Sequence, residues 1–359
     1  MEIGAFLIVL CLAFALSLLM TPWAIRLSHR WGAVTTPGGR RHEAQPMPRL
    51  GGIAIFIGFA GAAFVAQLLP VPRLDPNEII RFTGLMIGST IMFVLGCLDD
   101  MFEFGWLPQA LGQITAAGIA IAFQIFIQFF TNPLTGQPTD AWPHLVTVAL
   151  SLFWLGMMMN TMNFLDGLDG LATGVAAIAC VMLFLNSAFR VSPAQTSVSL
   201  LPLALLGACL GFLPYNFSPS RIYLGGGGPF LGFALGCLSI IGGAKMATIL
   251  LVMGLPLMDF AWQVFNRVLR GKNPMRGDRG HFHHRLFDTG RLSQRAIVLG
   301  YYAFSAFFGL LTLILESQLY KFITFGVMLL LIAAGFVFVA RHNASQSSFP
   351  DKSTSSSSE

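Results

Sequence analysis

The chain has 359 residues, of which 55% are hydrophobic and only 10% are charged. So few polar side chains cannot cover the surface of a soluble protein, whereas a lipid bilayer solvates apolar helices directly. The composition therefore excludes a soluble globular protein and predicts an all-α, polytopic integral membrane protein. The formal net charge of +5 requires no nucleic-acid partner, because basic cytoplasmic loops of membrane proteins give the same sign.

About eleven apolar runs are long enough to predict membrane-spanning helices. In chain order they cover residues 3–19, 50–69, 82–98, 107–130, 145–165, 171–189, 200–213, 230–241, 247–265, 297–315 and 322–340. The first run lacks a small-residue cleavage site and continues into TPWAIRL, which predicts an uncleaved span. Residues 1–341 are predicted to form a single transmembrane domain, and the Ser-rich residues 342–359 a disordered cytoplasmic tail.

The basic residues divide unequally between the two sets of loops. With the N-terminus outside, 16 of the 21 Lys and Arg residues fall in inner segments and five in outer segments. The positive-inside rule therefore predicts an external N-terminus and a cytoplasmic C-terminus. The polar clusters of the chain then share the inner face. A transporter would need polar groups near the membrane midplane and access from both sides, so this asymmetry favours an enzyme at the cytoplasmic surface.

Four acids stand beside apolar runs, Asp99 and Asp100 in LGCLDDMFEF and Asp166 and Asp169 in MNFLDGLDGLATG. An Asp at the centre of a membrane helix costs roughly 2.5 to 3.5 kcal/mol, so this placement indicates a site at the membrane surface. We place all four in inner loops, where they would attract Mg²⁺ or protons. The structural alternatives are helix-capping acids and a plain turn. Asp259 is the one acid inside a run, and an interhelical hydrogen bond is its structural alternative.

Basic and histidine residues fill two other inner segments. GGRRHEAQPMPRLGG contains Arg40, Arg41, His42 and Arg49, and DRGHFHHRL contains Arg279, His281, His283, His284 and Arg285. Partly cationic histidines can donate hydrogen bonds to anionic oxygens. A zinc site is the alternative, although no Cys is close and the Arg neighbours would repel a cation. The basic residues of the first segment could contribute to a site, and a role in setting the topology alone is as consistent with the sequence.

These segments together carry a family resemblance. RHEAQPMPRLGG, LGCLDD, NTMNFLDGLDGLATG, YNFSPSRIYLG, PLMD and DRGHFHHRL resemble, in order and spacing, the polyprenyl-phosphate N-acetylhexosamine-1-phosphate transferases over about residues 20–295. That family includes the undecaprenyl-phosphate GlcNAc-1-phosphate transferases and the phospho-MurNAc-pentapeptide translocases. The resemblance implies that a sugar-1-phosphate passes from a UDP-N-acetylhexosamine to undecaprenyl phosphate, with release of UMP.

The resemblance also implies a cofactor, a location and partners. The cofactor would be Mg²⁺, with Mn²⁺ as the alternative. The single domain would be catalytic and lie in a bacterial plasma membrane, where it would start a cell-envelope polymer such as teichoic acid, an O-antigen-like glycan of lipopolysaccharide or a capsule. The expected partners are the two substrates, the lipid bilayer and, from the frequency of dimers among membrane enzymes alone, a second copy of the chain.

The family motifs assign roles to matching positions. Catalytic roles fall on Asp99, Asp100, Asp166, Asp169, His281, His283 and His284. Substrate contacts fall on Asn163, Arg40, Arg41, His42, Arg49, Arg279 and Arg285. The metal would be held by Asp166, Asp169 and Asp100. The His-x-His-His form resembles the GlcNAc-type enzymes more than the MurNAc-pentapeptide type, which tends to carry three consecutive histidines, so the translocase is the alternative function.

Gly226 departs from the family pattern. Most members read about LGDSGSLFLGF, whereas residues 224–233 read LGGGGPFLGF, one residue shorter and with Gly226 at the place of the metal-binding Asp. Backbone N–H groups of a glycine run can cradle phosphate but cannot neutralise a divalent ion. Three readings stay open: Mg²⁺ held by the remaining acids, a different donor, or a catalytically impaired relative that only binds polyprenyl phosphate or nucleotide sugar. If only the ligand is missing, Gly226→Asp is expected to raise Mg²⁺ affinity and turnover.

Overall fold

The computed structural model describes residues 2–35, 46–191, 193–241, 246–269, 271, 282–288 and 292–347. These residues fold into thirteen α-helices and one π-helical turn, with two isolated β-bridges and no strand among them. In chain order the helices are α1 (Glu2–Trp31), α2 (Gly52–Leu68), α3 (Glu78–Phe102), α4 (Trp106–Ala122), α5 (His144–Leu165), α6 (Leu171–Leu185), the π-helical turn (Asn186–Arg190), α7 (Thr196–Asn216), α8 (Gly227–Ile240), α9 (Met246–Val252), α10 (Gly254–Leu269), α11 (Phe282–Asp288), α12 (Gln294–Ile314) and α13 (Gln318–Ser347).

Seven helices in the described part of the chain are long and apolar enough to cross a membrane. They are α1, α3, α5, α6 with its π-helical turn, α7, α12 and α13. The pair α9 and α10, bent by 77°, would make an eighth span, while α2 and α8 are apolar but shorter. This all-helical architecture is that of a polytopic membrane protein, as the composition predicts. The total of eleven spans and their orientation stay predictions.

The fourth predicted span overruns its helix. Helix α4 ends at Ala122 rather than at Phe130, because Gln124 adopts a left-handed φ of 64° and the residues after it are irregular. The irregular segment is nonetheless held in the fold, since the backbone N–H of Ile127 donates to Oγ of Ser151 at 2.8 Å. Ile125 and Ile127 of this segment are buried, so part of its apolar character reflects burial and not helix formation.

Two further elements differ from the predicted runs. The ninth run breaks at Met253 into α9 and α10, which meet at 77°. At the C-terminus, α13 continues to Ser347, into the stretch that was predicted as a tail, and residues 348–359 lie outside the described part of the chain.

Helices α7 and α8 form the centre of the bundle, and nearly all their residues are buried. Helix α7 packs against α1, α2 and α6, and α8 packs against α5 and α3. Close approach depends on small residues: a Cβ at Gly207 or Gly211 would lie 2.5 or 2.4 Å from the carbonyl oxygen of Leu10 or Phe14. Such contacts are typical of helix packing in membranes. The start of α8 lies against Gly96 of α3 and Asn163 of α5.

Candidate functional site

Asp100 lies near the end of α3 with a buried carboxylate. Its side chain is 3% exposed, Oδ1 lies 3.3 Å from Nε of Arg49, and Oδ2 accepts a 2.7 Å hydrogen bond from the backbone N–H of Gly226. A buried carboxylate is costly unless it is paired and hydrogen-bonded, so these two contacts stabilise its position. The prediction that Asp99 and Asp100 lie in a loop is wrong, because α3 ends only where Glu103 adopts a left-handed conformation.

Asp99, the neighbouring acid, has a different environment. Its side chain is half-buried, and its Oδ1 is buried with no hydrogen-bond partner among the described residues. Leaving a buried acceptor unsatisfied costs about 1 to 3 kcal/mol unless water, a ligand or a proton satisfies it. Of the acidic pair, Asp99 is therefore the residue with an oxygen available for a ligand or a proton.

Arg49 connects this acid pair to the segment before α2. Besides its contact with Asp100, its guanidinium donates to the exposed carboxylate of Glu103 at 3.2 Å. An exposed ion pair contributes little, so the buried partner dominates the position of Arg49. The structure thus places Arg49 beside the acid pair, and its predicted contact with substrate stays a prediction.

The glycine run before and within α8 permits two close backbone approaches. A Cβ at Gly226 would lie 2.2 Å from the carbonyl oxygen of Gly96 in α3, and one at Gly227 would lie 2.7 Å from Cα of Gly52 in α2. Gly225 has a φ of +60°, a conformation that disfavours other residues. A side chain at position 226 therefore requires the backbone of α3 to shift. This packing argues against Gly226→Asp as a way to restore a metal ligand, and the effect of that substitution stays a prediction.

The same glycine run also contacts the end of α5. A Cβ at Gly228 would lie 3.1 Å from Cα of Asn163. The start of α8 thus touches the segment that carries Asn163 on one side, and through Gly226 it holds Asp100 on the other. Two of the predicted clusters, far apart in sequence, are brought together by this one glycine-rich turn.

The DGLDG turn between α5 and α6 is held at several points. Asp166 caps the end of α5, and Gly170 starts α6 with a left-handed φ of +79°. Oδ2 of Asp169 accepts the backbone N–H of Ser220 at 3.3 Å. The hydroxyl of Tyr302 donates to the carbonyl oxygen of Gly170 at 2.5 Å. No pattern in the sequence around Tyr302 signals this contact, which only the packing of α12 against α6 creates.

Helix α11 brings two of the predicted histidines to this turn. Nε2 of His283 lies 2.2 Å, and Nε2 of His284 2.8 Å, from the place where a Cβ of Gly167 would stand. The two imidazole centroids are 4.3 Å apart. Glycine is therefore required between Asp166 and Leu168, because any side chain there would displace the imidazoles.

Asp259 in α10 contacts the helix α11. Its Oδ1 accepts the backbone N–H of Phe282 at 2.9 Å, and its Oδ2 lies 3.7 Å from Nδ1 of His283. Both side chains of the Asp259–His283 pair are buried. The hydrogen bond from Phe282 joins two helices, which agrees with the structural alternative stated for this acid.

Several predicted site residues lie outside the described part of the chain. These are Arg40, Arg41, His42, Arg279 and His281. Arg285 is described and lies half-buried in α11, directly after His284. Asp99, Asp100, Asn163, Asp166, Asp169, His283 and His284 are described and lie on the segments that converge at this end of the bundle.

The donor chemistry at this end suits a hard cation that is shared with substrate. Among the described residues, no three His, Cys, Asp or Glu side chains group closely enough to hold an ion. Mg²⁺ commonly binds through one or two carboxylates together with phosphate oxygens, so a closed protein cage is not required. Both oxygens of Asp100 face donors. Asp166 and Asp169 share one turn, where Oδ2 of Asp169 accepts from Ser220. A structural zinc site needs four ligands and finds no support in the described histidines.

The fold and the site together define a helical membrane protein whose acids and histidines meet at one end of the bundle. Comparison with known proteins agrees with this class. Residues 82–243 match the family model described as Glycosyl transferase family 4.

Relatives match over most of the chain. A Bacillus subtilis (strain 168) protein named as a probable undecaprenyl-phosphate N-acetylglucosaminyl 1-phosphate transferase is 30% identical, over 89% of this chain and 88% of its own. A decaprenyl-phosphate N-acetylglucosaminephosphotransferase of Mycolicibacterium smegmatis is 31% identical over 78% of this chain and 75% of its own. An undecaprenyl-phosphate alpha-N-acetylglucosaminyl 1-phosphate transferase of Thermotoga maritima is 27% identical over 82% and 84%. The chain belongs to the polyprenyl-phosphate N-acetylhexosamine-1-phosphate transferases of glycosyl transferase family 4, which confirms the resemblance.

Proposed function

We propose that this protein transfers GlcNAc-1-phosphate from UDP-GlcNAc to undecaprenyl phosphate and releases UMP. The observation that carries the proposal is that the acid pair Asp99–Asp100, the DGLDG turn and the histidine-bearing helix α11 converge at one end of the bundle. Relatives that cover most of the chain and are named for this transfer support it. The product would start a cell-envelope polysaccharide.

The proposed active site faces the cytoplasm. The support is the distribution of basic residues, 16 of 21 on the side of the site, together with the positive-inside rule. A cytosolic UDP-sugar and a lipid whose phosphate lies at the inner surface can meet at that face. The basic side chains there would lower the electrostatic cost of bringing two phosphorylated substrates together.

In the proposed mechanism the two acids of α3 have separate roles. Asp99, with its unsatisfied buried oxygen, accepts a proton from the phosphate of undecaprenyl phosphate or contacts that phosphate directly. Asp100, held by Arg49 and Gly226, fixes the glycine run and the end of α3 in place. Positioning and electrostatic stabilisation supply most of the rate enhancement in phosphoryl transfer, so a fixed frame around the phosphates is the protein's main contribution.

Asp166 and Asp169 would hold the metal, because Mg²⁺ commonly binds through one or two carboxylates together with substrate phosphates. When bound, Mg²⁺ would neutralise charge that develops on the transferred phosphoryl group. His283 and His284 lie against the backbone between these acids and would donate hydrogen bonds to pyrophosphate oxygens. Asn163, one turn earlier on α5, would orient the nucleotide.

The test is a transfer assay with purified full-length protein, radiolabelled UDP-GlcNAc, undecaprenyl phosphate and Mg²⁺. We expect radiolabel to enter the lipid fraction with stoichiometric release of UMP, and EDTA to abolish both. Asp99→Asn is the matched negative control. Transfer from UDP-MurNAc-pentapeptide but not from UDP-GlcNAc would instead identify the translocase.

A second candidate, a non-catalytic relative that binds polyprenyl phosphate or nucleotide sugar, is favoured by one observation. The glycine run leaves no acid at position 226. Saturable binding of UDP-GlcNAc with no UMP release in the same preparation would support that candidate and contradict transfer.

A further inference from the structure

Asp259 is a buried acid whose contacts bear directly on the histidine segment. Its side chain is 5% exposed and lies within α10, one of the two helices of the bent pair. Taking a carboxylate out of water is costly without compensation. Each of its two oxygens faces α11: Oδ1 accepts from the backbone N–H of Phe282, and Oδ2 lies against Nδ1 of His283.

The contact closes a long connection. Asp259 and Phe282 are 23 positions apart in sequence, and bringing two points of a chain together over that separation has an entropic cost that a specific contact helps to offset. The tether also selects an orientation of the imidazole. With Nδ1 of His283 turned to the carboxylate, Nε2 lies on the opposite side of the imidazole, against Gly167 of the DGLDG turn.

We propose that Asp259 is a positioning residue of the active site, which fixes α11 and turns Nε2 of His283 toward the backbone between Asp166 and Asp169. Asp259 itself contacts neither substrate; it acts through His283. This inference deepens the proposed function and rests on it for its kinetic test. The removal of such supporting partners of functional histidines typically lowers activity roughly 10- to 100-fold.

The kinetic test is a double-mutant cycle in the transfer assay. Asp259→Asn keeps the shape and an oxygen that can accept from Phe282, but removes the charge beside His283. We expect it to lower kcat roughly 10- to 100-fold in the native background and less than about twofold in a His283→Ala background, because interacting residues are non-additive. In a His284→Ala background, the matched control, the full loss should persist. An equal loss in all three backgrounds would overturn the proposal.

A second measurement does not depend on activity. Diethyl pyrocarbonate labelling, mapped by mass spectrometry, reports the accessibility of each histidine in the intact protein. His283 is 1% exposed and should be labelled slowly, whereas Asp259→Ala and Asp259→Asn should raise its labelling rate several-fold. His29, exposed near the end of α1, is the internal control and should not change. Unaltered labelling of His283 in folded Asp259 variants would contradict the tether, and absence of transfer by the native chain would contradict only the proposed function.

Discussion

The backbone N–H of Gly226 donates a 2.7 Å hydrogen bond to the Asp100 carboxylate, across the gap between α3 and α8. This contact joins the acid pair Asp99–Asp100 to position 226, where the family pattern has a metal-binding Asp. In this chain the position supplies a backbone donor to the Asp100 carboxylate and close packing against Gly96, both in α3. The departure at Gly226 is thus part of how the end of α3 is held.

The first prediction concerns substitution of Gly226. Gly226→Ala and Gly226→Asp should both reduce transfer, because a Cβ there would lie 2.2 Å from the carbonyl oxygen of Gly96. Overpacking of this kind typically costs about 1 to 3 kcal/mol. Thermal unfolding in detergent and the transfer assay measure the two effects. Gly118→Ala in α4 is the matched control, since nothing lies within 4 Å of its Cβ position. Higher turnover in Gly226→Asp would contradict the packing argument.

The second prediction separates the two acids of α3. Asp99→Asn should keep the stability of the protein and lower turnover by on the order of a hundredfold, as expected when electrostatic stabilisation is lost. Asp100→Asn should lower both turnover and stability, the latter by about 1 to 3 kcal/mol, because it removes the charge that pairs with Arg49.

The control for this pair is Glu103→Gln, which removes the exposed partner of Arg49. An exposed ion pair is worth about 0 to 1 kcal/mol, so stability and turnover should stay near those of the native chain. Equal melting temperatures for Asp99→Asn and Asp100→Asn would show that the two acids do not divide their roles in this way.

Hydropathy predicts the bounds of a helix well where one apolar run forms one continuous helix. The run 145–165 and helix α5 differ by one residue at their start. Hydropathy fails where apolar residues are buried in another conformation, as in the segment that contains Ile127, or where a bundle bends a helix, as at Met253. Apolar composition reports the environment of a residue and only indirectly its backbone conformation.

The site is predictable to a similar depth. Asp100, Asn163 and His283 are identifiable from their motifs, and the topology predicts that they share a face. The glycine contacts that join them depend on how closely the backbones of neighbouring helices approach, which no local pattern encodes. The same holds for the hydrogen bond from Tyr302 to Gly170.

The third prediction tests the orientation of the site. Single cysteines are introduced at Thr135 and at Leu292, two exposed positions, in a variant without the exposed Cys11. If the basic residues set the topology, a membrane-impermeant maleimide should label Thr135→Cys in intact cells and Leu292→Cys only after permeabilisation. Labelling of both positions from the same side would contradict the predicted topology and the cytoplasmic location of the site.

The fourth prediction concerns the support of the DGLDG turn by α12. Tyr302→Phe removes the hydroxyl that donates to the carbonyl oxygen of Gly170 at 2.5 Å and leaves the aromatic packing in place. The loss of one hydrogen bond to a partly buried acceptor should reduce stability by about 0.5 to 1.5 kcal/mol. Turnover should fall several-fold, because Gly170 directly follows Asp169. Tyr320→Phe, an exposed tyrosine at the start of α13, is the matched control and should change neither quantity. If Tyr302→Phe retains full turnover while its stability falls as expected, the tyrosine stabilises the fold without fixing the acids of the turn.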